Sequence, residues 1–85
     1  MNVLQSLRFE VAYPPVPGRM KVKIIDLVET TAGFGVRVQY GSTGQTSLDS
    51  NWRVESVSRA EAEKAFFKLA AEQPDRGYTL VSQAG

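Results

Sequence analysis

Apolar and polar residues alternate along Phe34-Gly-Val-Arg-Val-Gln-Tyr40. A pleated strand sends Phe34, Val36, Val38 and Tyr40 to one face and Gly35, Arg37 and Gln39 to the other. Gly41 and Gly44 then bracket Ser42 and Thr43, which suits a tight reversal with positive φ at one or both glycines. The pattern predicts a β-hairpin whose outgoing strand begins near Gln45. Upstream, Leu7, Phe9, Val11 and Tyr13 alternate with Arg8 and Glu10, predicting a half-buried strand that the run Pro14, Pro15, Pro17 and Gly18 ends. That proline run reads as a rigid connector, and also as a segment able to dock in a partner's groove.

Lys21 to Glu29 is the next predicted strand. Val22 and Ile24 share one parity with Lys21 and Lys23 opposite, but Ile25 and Leu27 break it. A bulge near Ile24 and Ile25, or a strand buried on both faces at that end, reconciles the two sets. After a loop or bulge at Asp49-Ser-Asn51, a strand is predicted through Trp52, Val54 and Ser56, with Arg53 and Glu55 on its other side. Trp52, the only tryptophan, reads as a core or core-edge anchor, with ligand stacking as the alternative.

Ser58-Arg-Ala-Glu61 has the form of a capping box and sets a helix start. Ala62, Ala65, Phe66, Leu69 and Ala70 form an apolar stripe along that helix, and Pro74 stops it at about Glu72 or Gln73. Tyr78 to Val81 reads as a short last strand or an extended tail. The expected fold class is therefore α+β: an antiparallel sheet of about four or five strands with one amphipathic helix on its apolar face. The 85 residues form a single domain in which residues 1–6 and 82–85 are the ends able to fray.

Composition narrows the chemistry. With 42% apolar and 22% charged residues the chain is ordinary for a globular domain, and no apolar run approaches the ~20 residues of a membrane span. No basic-then-apolar leader opens it, so no membrane role and a cytoplasmic location are the default expectations. Cysteine and histidine are both absent, which excludes disulfides, thiol chemistry and the usual zinc sites, and removes the commonest general base. No acid, base or nucleophile constellation stands out, and Gly41-Ser-Thr-Gly44 lacks the lysine and following helix of a phosphate-binding loop. A non-enzymatic protein with no cofactor and no metal is expected.

Net charge is only +1, from ten Lys and Arg against nine Asp and Glu, so charge placement matters more than its sum. If Phe9, Val22, Val36, Val38, Trp52 and Val54 face the helix, Arg8, Lys21, Lys23, Arg37 and Arg53 share the opposite face. Glu61, Glu63, Glu72 and Asp75 then fall on or just beyond the helix. A basic side of this kind suits a nucleic-acid backbone, although with Glu10 and Glu55 among them the same positions are equally those of a solvated sheet face. The expected nucleic-acid contacts are Lys21, Lys23, Arg37 and Arg53, with Gln39, Ser42 and Thr43 adding polar groups. A protein-interaction or homodimerisation role, through the open face or an edge strand at Leu7 to Tyr13, is the alternative.

The order of Gly41-Ser-Thr-Gly-Gln45, the helix with Ala62 and Phe66, and Gly77-Tyr78 resembles the WGR domain family across about Lys21 to Val81. Arg37, Val38 and Gln39 stand where that family carries its Trp-Gly-Arg signature. The resemblance implies a small α+β module and a DNA-binding role. In the poly(ADP-ribose) polymerases of that family the signature tryptophan packs on sugar at a DNA end, and Arg37 supplies no such aromatic platform.

Overall fold

Strand alternation and one helical stripe account for the architecture of the computed structural model, which describes residues 1–85. The strands are β1 (Asn2–Ala12), β2 (Met20–Thr30), β3 (Gly33–Ser42), β4 (Asp49–Val57) and β5 (Thr79–Ala84). The helix α1 (Arg59–Glu72) and a single 3₁₀ turn at Pro74–Arg76 lie between β4 and β5. All neighbouring strands are antiparallel, in the order β4-β3-β2-β1-β5. The α+β sheet-and-helix arrangement is the one expected, with five strands. No helix is long and apolar enough to cross a membrane.

The chain leaves the sheet at one edge, β4, and returns at the other, β5. α1 makes that crossing over one face, where Ala62 and Phe66 are fully buried against Leu7, Phe9, Ile25, Leu27 and Val36. Alanine at position 62 lets the helix approach the sheet, and Phe66 fills the space between them. Ser58 caps the helix by accepting from the Glu61 amide at 3.2 Å; the reciprocal bond from the Ser58 amide to the Glu61 side chain is not formed. Gly77, in the left-handed region at φ 86°, closes the turn before β5.

Several expectations need correcting. β2 has no bulge against β3; it is instead buried on both faces, with Ile25 and Leu27 under the helix and Val22, Asp26 and Val28 on the other side. Lys21 and Lys23 therefore share the helix-bearing face with Ile25 and Leu27. β1 begins at Asn2, because residues 2–6 pair with the far end of β2, and it lies inside the sheet rather than at an edge. The hairpin's outgoing strand starts at Asp49 rather than near Gln45.

Two irregularities fall in β4. Its register to β3 shifts on either side of Val36, so Trp52 lies opposite Arg37 while Val54 lies opposite Val36. One extra residue, Arg53, reverses the parity, and Trp52 and Val54 point to opposite faces. At the second shift Ser56 adopts φ 56°, an uncommon conformation for a residue with a side chain. Gly35 is required here: a Cβ would stand 2.6 Å from the Val54 carbonyl and 3.1 Å from the Trp52 ring.

Removing the main helix contact tests this packing. Phe66→Ala is expected to lower unfolding free energy by about 3–5 kcal/mol, a large part of what a domain of this size possesses. A urea midpoint close to that of the wild type would show that the core is not organised around Phe66.

Candidate nucleic-acid interface

On the face away from the helix, Asp26 is the hub. Its carboxylate is 2% exposed and accepts from Ser6 Oγ at 2.6 Å, Arg37 Nε and Nη2 at 3.1 and 2.9 Å, and Gln39 Nε2 at 2.8 Å. Register explains the convergence, since Ser6 and Arg37 lie directly opposite Asp26 on its two neighbouring strands. A buried carboxylate needs such donors to offset its lost hydration. Arg37 and Gln39 are thereby committed to a structural network, and Arg8 on the same face pairs with Glu10 at 2.9 Å.

The expected basic face is not assembled there. Lys21 and Lys23 lie on the helix-bearing face by strand parity, and the bulge turns Arg53 to that side as well, where it lines a cleft with Ala65, Lys68, Leu69 and Glu72. Arg37 and Arg53 thus point in opposite directions. Lys21, Lys23 and Arg53 nevertheless share the helix-bearing side, and Arg53 lies close enough to Lys23 for the two charges to repel.

Tyrosines surround them. Lys21 Nζ sits 5.7 Å from the centre of the Tyr13 ring, and Lys23 Nζ sits 4.9 Å from that of Tyr78. Tyr40 lies directly opposite Lys23 on β3. An open groove of about 440 Å³ is lined by Tyr13, Arg19, Lys21, Tyr40, Ser42 and Tyr78. None of Arg19, Lys21, Lys23, Arg53 or Arg76 forms an ion pair; the molecule's ion pairs are Arg8–Glu10, Arg37–Asp26 and Arg59–Glu63. The Lys23 ammonium is held below the ordinary lysine pKa, first by burial and then by the charges of Arg76 and Arg53. Desolvation and like charges both oppose its protonated form.

Ser42 and Thr43 hold the turn beside this groove. The Met20 amide donates to Thr43 Oγ1 at 3.1 Å and the Thr43 amide donates to the Met20 carbonyl at 2.9 Å, tying the turn to the start of β2. The Ser42 amide and hydroxyl both donate to Gln45 Oε1. Ser42 lines the groove, whereas the Thr43 hydroxyl serves the fold.

Arg76, Arg19 and the three tyrosines are not among the contact residues expected from sequence. A signal for part of the cluster was present: Ile25 and Leu27 have the parity of Lys21 and Lys23, and Val36 and Val38 have that of Tyr40. Arg76 had none, because its place depends on how the turn after α1 folds back. No group of three or more His, Cys, Asp or Glu side chains gathers as a metal site.

Two substitutions separate these roles. Arg37→Ala leaves Asp26 with Ser6 and Gln39 alone and is expected to destabilise the fold by roughly 2–3 kcal/mol, below the full effect of stripping a buried charge of its partner. Lys23→Met should do the opposite. The folded state carries the penalty for the Lys23 charge in full below its lowered pKa, and loses it as pH rises through that value toward the ordinary lysine range. The methionine variant should therefore melt at or above the wild-type temperature at neutral pH, and a clear drop in Tm would show that Lys23 is structural.

No protein-family model, curated protein or solved structure matches the chain, so its functional reading rests on its own residues.

Proposed function

We propose that the chain is a small non-enzymatic module that binds nucleic acid through the helix-bearing end of its sheet. The observation that carries this reading is the grouping of Lys23 with Arg53 and Arg76, and of Lys21 and Lys23 over the half-buried Tyr13 and Tyr78 rings, with none of these cations held in an ion pair. Isolated surface cations are usually satisfied by water, but a half-buried lysine with two arginines nearby gains by taking up phosphate. The polyanion-binding role implied by the WGR resemblance is retained, and the contacts move from the Arg37 face to the opposite one. Arg37 and Gln39 enter this reading only as supports of the strand that presents Tyr40.

Binding of a labelled oligonucleotide, measured by anisotropy over a series of salt concentrations, tests the proposal. Four phosphate contacts predict a slope of roughly three to four in log Kd against log salt. The double substitution Lys23→Glu, Arg53→Glu should weaken binding at low salt by tenfold or more. Lys64→Glu, an equal charge change at each position but on the exposed helix surface, should have little effect. No binding by the wild type at low salt, or equal losses per charge at both places, would defeat the proposal.

A second reading has one specific observation in its favour. β5 is an outer strand with no charged residue, and Leu80 and Val81 on it are 46% and 49% exposed. Its free edge can pair with β5 of a second copy. Sedimentation would reveal this as a concentration-dependent dimer, whereas a monomer throughout would dismiss it.

A further inference from the structure

We infer that the groove selects single-stranded nucleic acid over duplex, with a base stacked on Tyr40 and the flanking phosphates on Lys23 and Lys21; this rests on the nucleic-acid reading and specifies its ligand. Each of the other two tyrosines already has a cation over its ring, Lys21 on Tyr13 and Lys23 on Tyr78. Tyr40 has neither a cation nor another aromatic ring against it, and it is 41% exposed. An exposed aromatic face with no partner, set among unpaired cations, is the arrangement on which an unpaired base stacks while its phosphates are neutralised.

The register fixes how the strand lies. Lys23 is directly opposite Tyr40 on one side, and Asp49 is directly opposite it on the other. Phosphate is attracted toward β2 and repelled from the β4 side, which leaves the ring for the base. Duplex offers this site little, because its bases are stacked on one another and their faces are not accessible. Reading a duplex through its major groove calls for a protruding helix or ribbon, whereas here Lys21, Arg19 and Tyr40 line a concavity. Tyr13 and Tyr78 serve by holding the lysine stems in place, so that the two ammonium groups are positioned before the strand arrives.

The full chain is titrated at one low salt concentration with labelled oligodeoxyuridylate, oligouridylate and a duplex of the same length. Single strands are expected to bind at least tenfold tighter than duplex, and the two single-stranded probes decide whether the 2′-hydroxyl matters. Tyr40→Leu should weaken single-strand binding between about fivefold and one-hundredfold, the range for losing one stacked base, and leave duplex affinity unchanged. Tyr40→Phe, which keeps the ring, should bind like the wild type. Duplex bound as tightly as single strands, or a Tyr40→Leu loss equal on both, overturns the stacking inference while the nucleic-acid reading survives. Failure of the wild type to bind any of the three probes overturns both.

Discussion

One helix cannot cover this sheet. α1 has 14 residues and reaches about 21 Å, whereas the 11 residues of β2 extend about 36 Å. The covered part is sealed by Ala62 and Phe66 over Leu7, Phe9, Ile25, Leu27 and Val36. Beyond it the same strands continue on the same face, and their side chains must tolerate water. Lys21, Lys23, Tyr13 and Tyr40 occupy those positions, long amphipathic groups whose stems and rings shield the end of the core while their polar tips stay wet. Core and proposed interface are thus successive stretches of one alternating pattern.

The opposite face answers a different constraint. β2 is central and buried on both sides, so a carboxylate at Asp26 has to be solvated by protein groups. Ser6, Arg37 and Gln39 supply the donors from the strands on either side. A network of this kind fixes register, because a slip of β3 by one residue would remove the Arg37 donors and strand the charge. It also withdraws Arg37 from any external partner.

The two sheet edges are managed differently. β4 carries Asp49, Arg53 and Glu55 together with two register shifts, features that discourage another strand from pairing with it. β5 has no charge, and its one irregularity is its register shift against β1. The shift at Arg53 has a further effect, since it turns that side chain from the Asp26 face to the helix side and adds it to the lysines there.

The element types were legible along the chain: the alternating runs for β1 and β3, the Ser58 cap, the Ala62–Phe66–Leu69 stripe and the stop before Pro74. These are local, set by strand and helix periods and by capping chemistry. The sequence also identified Lys21, Lys23 and Arg53 as residues of interest. It did not say which way they point. For Lys21 and Lys23 the side was decided by which of two competing apolar parities in β2 the helix selected, and for Arg53 by a bulge that exists only once β4 pairs with β3. Arg76 and the free Tyr40 ring acquired their surroundings from the path of the chain after α1 and from the limited reach of that helix. Each of these depends on contacts between residues far apart in the chain, which a local pattern does not encode.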